Sequence, residues 1–182
     1  MTENLTRRSR ERFDDLADRL RSDYGEFETV EKTWRHPPGF YGSLVERFED
    51  GNAGGAGGWV YDDEGRVLLV KDAGDVGWSD PGGKRESGES YEEAARREIH
   101  EETGVEVTLT DVLELHRITV YDGTDPDRPQ LVEPIVVFAA RYEGGEPGPK
   151  EGEIEVVEWF ESTPPMVSYE EVRERSIPFD PE

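Results

Sequence analysis

Between Gly82 and Val105 the chain reads GGKRESGESYEEAARREIHEETGV, a stretch that gathers Glu98, Glu101 and Glu102. On a helix starting near Ser90, turning about 100° per residue, Glu98 at zero puts Glu102 near +40° and Glu101 near −60°. Tyr91, Ala94 and Ala95 then fall at about +20°, −40° and +60°, so the carboxylates continue an apolar stripe. Glu93, Arg96, His100 and Thr103 are expected on the opposite face. Ser90 suits the N-cap, with Glu93 three residues on completing a capping-box pattern. Gly104 suits the left-handed residue that ends a helix.

Two readings compete for these acids. A charged surface helix, with Arg97 and Glu101 as an i,i+4 pair, needs no chemistry at all. Carboxylates on a body-facing stripe, by contrast, must be protonated, paired or bound to a metal. Oxygen-only donors suit hard cations such as Mg²⁺ or Mn²⁺. Zinc is disfavoured, because HEETG lacks the second histidine of HExxH and His100 faces away from the glutamates.

The spacing of Gly83, Glu89 and the run Arg97-Glu98-Ile99-His100-Glu101-Glu102-Thr103-Gly104-Val105 resembles the signature of Nudix hydrolases, G-x5-E-x7-R-E-U-x-E-E-x-G-U. Every fixed position matches, and the flanking strands extend the resemblance to about residues 53–160. The resemblance implies an α/β fold, a Nudix-type α/β/α sandwich with a mixed β-sheet, carrying an N-terminal helical extension. It implies Glu98, Glu101 and Glu102 as metal ligands, with the Gly82 carbonyl as a further one. Arg97 would orient the glutamates, and Glu89 would support the loop or a further metal. The general base stays open among Glu98, Glu151 and Glu153. The implied cofactor is Mg²⁺, with Mn²⁺ as an alternative, and the implied reaction is cleavage of the diphosphate linkage of a nucleoside diphosphate derivative. Tyr121, 16 residues past Val105, is placed as in dinucleoside polyphosphate hydrolases; an ADP-ribose-like substrate is the other class retained. Lys84, Arg85, Arg117 and Arg128 are candidate contacts for a polyanion, and Trp78 could stack a base or simply pack as an aromatic. The family often has an apolar residue before Pro-Gly-Gly, where this chain has Asp80. The resemblance also allows a homodimer. The alternative function is a nucleotide-sensing or scaffold protein that keeps the fold without turnover.

Several elements must position this helix. Phe13, Leu16, Ala17 and Leu20 recur at helical spacing and predict an amphipathic helix from Leu5 to about Tyr24. Together with a short strand and a break at Pro37-Pro38 it makes an N-terminal extension, residues 1–50. The main domain, residues 51–182, opens with a predicted hairpin: a strand through Trp59 and Tyr61, a turn at Asp62–Gly65 and the strand Val67–Val70. The glycines before it lack a Gly-Lys-Ser/Thr and a following helix, so a small-residue strand or loop is expected, not a phosphate loop. Further strands are expected in VEVTLTDVLELHRITVYDG, LVEPIVVFAARYEG and GEIEVVEWFES. The stretch DGTDPDRPQ reads as a surface loop, since its aspartates lack calcium-loop spacing. A short helix is expected over residues 168–175.

Composition narrows the setting. With 21 basic against 44 acidic residues among 182, the net charge is −23, spread along the whole chain. A basic face for nucleic acid is missing. Such self-repulsion is tolerated where salt shortens the Debye length to about 3 Å at 1 M, so a salt-accumulating organism is the expected source. Dialysis into low salt is accordingly expected to unfold the protein, read by circular dichroism; unchanged ellipticity counts against that setting. Cysteine is absent, which removes disulfides and thiolate chemistry. No apolar run approaches the ~20 residues of a membrane span, and a cytoplasmic protein is expected.

Overall fold

The computed structural model describes residues 2–181; Met1 and Glu182, the outer ends of the predicted extension and domain, lie outside them. The elements in order are α1 (Thr2–Tyr24), β1 (Glu28–His36), α2 (Pro38–Glu49), β2 (Gly55–Tyr61), β3 (Val67–Asp72), β4 (Gly82–Lys84), α3 (Tyr91–Thr103), β5 (Glu106–Asp122), β6 (Leu131–Gly144), β7 (Ile154–Phe160) and α4 (Glu170–Glu174). Strands hydrogen-bond in the order β1-β5-β6-β2-β3-β7, with β4 on β2. β1 runs parallel to β5, whereas β2–β3 and β3–β7 are antiparallel. The fold is therefore mixed α/β with a seven-stranded mixed sheet, and the N-terminal helix is present. No helix among the described residues is long and apolar enough to cross a membrane.

The chain forms two compact units. Of the described residues, the first takes 2–55, 84–91 and 112–136, the second 56–83, 92–111 and 137–181. β5 and β6 each contribute one portion to either unit. In the first, the α1 stripe Phe13, Leu16, Ala17 and Leu20 is buried as its spacing requires. Tyr41, Leu44 and Phe48 of α2 pack with Ile118, Val120 and Leu131. The Pro37-Pro38 pair, expected as a break, instead starts this helix: Pro38 stands at its first position, where a missing N–H has no cost. The i, i+3, i+7 spacing of Tyr41, Leu44 and Phe48 was the available signal.

The second unit has its own core of Val60, Leu68, Ile99, Val105 and Ala140, lined by Val157 and Trp159. The hairpin forms as expected, with Val60 opposite Leu68 and Tyr61 opposite Val67. Its turn closes through hydrogen bonds between Asp62 and Arg66, and Gly65 takes a positive φ of 79°. Of the glycines before Trp59, Gly55, Gly57 and Gly58 lie in a fully buried strand, whereas Gly51 and Gly54 precede it. Ile99 and Leu68 are each fully buried, and such side chains typically contribute about 2 kcal/mol apiece to folding.

Candidate functional site

Helix α3 ends at Thr103, and Gly104 follows with φ 76°, the left-handed terminator its sequence called for. The buried positions on α3 are Tyr91, Ala94, Ala95, Ile99, Glu102 and Thr103. Their mean direction lies about 50° from Glu98 toward Ile99, so the stripe is rotated from the one expected. Thr103, expected outside, is fully buried, and its hydroxyl donates to the Ile99 carbonyl. Glu101 correspondingly moves to the rim, 39% exposed, while Glu98 stays 13% exposed.

Around this rim the second unit brings together Gly82, Gly83, Arg97, Glu98, Glu101, Glu102 and Glu153 of the singled-out residues. Arg97 Nη1 donates to Glu98 Oε1 at 2.8 Å and to Glu101 Oε2 at 3.4 Å. Lys150, in the turn before β7, lies 3.0 Å from Glu153 Oε2 and 3.7 Å from Glu101 Oε2. The Gly82 N–H donates to Glu102 Oε2 at 2.9 Å. Gly83 runs directly over Glu98: a methyl there would stand 2.6 Å from Glu98 Oε1 and 2.7 Å from Oε2. A methyl would therefore fit only if the Glu98 carboxylate moved aside.

Glu102 carries the unusual electrostatics. Burial pushes its carboxyl up to about 8, the Gly82 N–H opposes this, and Glu98, Asp72 and Glu153 push it further up. Among the described residues no Lys, Arg or His pairs with it. Asp72 is pushed up as well, by burial and then by Asp75 and Glu153. Among the described residues no three His, Asp or Glu side chains converge as a ready metal centre. The reason is visible in the pairings: Arg97 and Lys150 draw Glu98, Glu101 and Glu153 toward themselves, and Gly82 holds Glu102. The donor set still fits a hard divalent cation, because a buried carboxyl ringed by carboxylates gains most from one.

The remaining sequence candidates have other surroundings. Trp78 packs edge-on against Phe160, centroids 4.7 Å apart, with Lys71 Nζ 5.3 Å from its ring. Glu151 is exposed in the turn at residues 151–153. Glu89, Lys84, Arg85 and Tyr121 belong to the first unit. Glu89 accepts from the Glu86 N–H at 2.8 Å, and Lys84 is exposed. Arg85 donates to the carbonyls of Gly51, Ala53 and Glu89 and lies 4.2 Å from the Tyr91 ring, so its guanidinium ties local backbone together. Tyr121 stands opposite Arg35 across β1 and β5. Arg117 reaches Asp14 at 3.4 Å and Arg128 reaches Asp122 at 3.2 Å.

Three participants escaped the sequence reading. Lys150 and Asp72 join the acidic rim from distant strands' ends, and no local pattern marks them. Arg175 forms a buried ion pair at 2.8 Å with Asp80, the residue that departs from the family pattern, 95 positions away in sequence.

A family model described as NUDIX domain matches residues 51–176, well over half of the chain. Among solved structures, the chain is similar to a MutT NUDIX hydrolase from Burkholderia pseudomallei, with 31% identity over 59% of this chain and 81% of that one, TM-score 0.41. It is similar to a MutT from work on Aliivibrio salmonicida and Vibrio cholerae, with 25% identity, 59% and 78% coverage, TM-score 0.41. An ADP-ribose pyrophosphatase from Streptococcus suis aligns at 20% identity, 60% and 73% coverage, TM-score 0.43. With its domain matched from residue 51 to residue 176, the chain belongs to the Nudix family, hydrolases of pyrophosphate bonds in small nucleotide substrates that use divalent metal ions.

Proposed function

We propose that the protein is a Mg²⁺-dependent pyrophosphohydrolase that cleaves the diphosphate linkage of a nucleoside diphosphate derivative, ADP-ribose-like or a dinucleoside polyphosphate. The observation that carries this reading is Glu102, a buried carboxyl without a counter-cation beside Glu98, Asp72 and Glu153. Glu98, Glu101, Glu102 and the Gly82 carbonyl are the proposed ligands, and Mn²⁺ suits the same oxygens. When bound, the cation offsets charge on the diphosphate and lowers the pKa of water.

The chain's own residues supply the rest. Arg97 orients Glu98 and Glu101 through its two hydrogen bonds. Glu153 is the proposed general base: an Oε atom takes a proton from the attacking water as the new O–P bond forms and the bridging P–O bond breaks in line. Its contact with Lys150 holds the base at the rim beside Glu101. Roles for Glu89 as a further metal support, and for Trp78, Lys84, Arg85 and Tyr121 as substrate contacts, rest on their positions in the sequence. The division into an extension, residues 1–50, and a hydrolase domain, residues 51–182, is part of the same proposal. A cytoplasm rich in salt is the proposed setting for a chain of charge −23.

Hydrolysis of ADP-ribose, diadenosine tetraphosphate and nucleoside triphosphates, assayed with Mg²⁺ in molar salt, tests the function. No turnover of any of the three rejects it. Gly83→Ala provides a narrower check. Its methyl would displace the Glu98 carboxylate, so Mn²⁺ affinity should fall about 10–100-fold, as for other disturbances of ligand orientation. Titration followed by calorimetry reads the loss; an unchanged affinity removes Glu98 from the ligand set.

A further inference from the structure

The ion pair between Asp80 and Arg175 lies inside the second unit. Both side chains are only 6% exposed, and Arg175 Nη1 donates to Asp80 Oδ1 at 2.8 Å. The Arg175 guanidinium also lies 5.0 Å from the Trp59 ring and 5.7 Å from the Tyr169 ring. A buried pair of this kind is weak support for stability, because well-packed apolar residues of similar size often do as well or better. Its position suggests a different use. Asp80 opens the segment Asp80-Pro81-Gly82 that enters β4, and the Gly82 N–H is the group that holds Glu102.

That segment is gripped on two sides. Toward β2 it has no slack: the Gly58 N–H donates to the Pro81 carbonyl at 3.1 Å, and a methyl on Gly82 would stand 2.7 Å from the Gly57 Cα. On its other flank residues 166–168 run beside the chain leading into it. The Trp78 N–H donates to the Met166 carbonyl at 3.1 Å, and the Ser168 N–H donates back to the Trp78 carbonyl at 2.9 Å. Ser168 Oγ donates to Asp75 at 3.2 Å. Arg175 completes this brace at Asp80.

We propose that Arg175 is a positioning residue for the hydrolytic site: through Asp80 it fixes the Asp80–Gly82 segment, and so the backbone that orients Glu102 and supplies the Gly82 carbonyl. The inference rests on the proposed metal-binding role of Glu102 and Gly82 and extends it to a segment some 70 residues past α3. Placement errors of about 1 Å at a site can cost 100-fold in rate, so a rigid entry into β4 matters more here than the energy of the pair itself.

Three full-length proteins decide it: wild type, Arg175→Met, and the double variant Asp80→Leu with Arg175→Met. Each is stripped with chelator, then characterised by thermal melting, by Mn²⁺ titration calorimetry and by amide hydrogen exchange over residues 79–84. The single variant should melt lower, because it strands a buried carboxylate. The double variant should regain the wild-type melting temperature yet bind Mn²⁺ about 10-fold more weakly, the usual cost of losing an outer support, with faster exchange at Gly82. A double variant with wild-type affinity and exchange overturns the positioning role while leaving the metal reading intact. Wild-type protein that binds no Mn²⁺ overturns both. Should the double variant fail to fold, Asp80→Asn keeps the side-chain shape at that position, and the same two readouts decide.

Discussion

Glu102→Gln should lower diphosphate hydrolysis by more than about 100-fold while the protein stays folded. Disturbing a residue that merely supports a metal ligand already costs roughly 10–100-fold, and this substitution removes a proposed ligand charge outright. The intact fold follows from the same environment. With its carboxyl pushed up to about 8, Glu102 is mostly protonated at neutral pH in the metal-free protein, and glutamine closely matches that neutral form. The amide oxygen can still accept from the Gly82 N–H, now at 2.9 Å from Glu102 Oε2. Initial rates with Mg²⁺ in molar salt, alongside melting curves, give the two readings. Near-normal turnover in the variant sinks the assignment of Glu102, and with it the main support for the proposed function.

The second large effect is on stability against pH. The Glu102 carboxyl titrates near 4.5 when unfolded and near 8 when folded, chiefly because burial disfavours its charged form. Its folded-state pKa is raised, so its contribution to stability is fully present below about pH 4.5 and is lost as pH rises through about 8. Each pH unit within that window is worth about 1.4 kcal/mol, which makes the whole loss on the order of 5 kcal/mol. Many other carboxylates titrate in the same range, so the difference between wild type and Glu102→Gln is the informative quantity. Urea melts in chelator from pH 4 to pH 9 should show wild type falling relative to the variant. A divalent cation at pH 8 to 9 should reverse the fall in wild type alone, since a ligand that binds only the folded state stabilises it. Parallel pH profiles for the two proteins would show that Glu102 is not desolvated in solution.

These expectations draw on features that differ in how readily the sequence discloses them. The α1 stripe, the Trp59–Val70 hairpin and the left-handed Gly104 were all legible, because each depends on residues within one or two turns of one another. Helix α2 was legible in principle, but Pro37-Pro38 reads locally as a break, whereas its second proline stands where helices begin. The α3 stripe was legible only to within about half a helical quadrant. Glu98 served as its centre, yet Ile99 drives the helix into the core, and the true direction of burial carries Thr103 inward and Glu101 out to the rim.

The sequence by itself determined the type of chemistry available: a cysteine-free, strongly acidic chain with three glutamates on one helix and a complete Nudix signature at fixed spacing. Tertiary structure alone decided which of those carboxylates is stripped of water, which basic side chain shares them, and what holds the backbone at Gly82. Lys150 reaches Glu101 from the turn before β7, and Arg175 reaches Asp80 from just past α4. The physical reason is range. Helical phase and turn chemistry are set by neighbours along the chain, whereas desolvation and ion pairing depend on whatever the fold brings within a few ångströms.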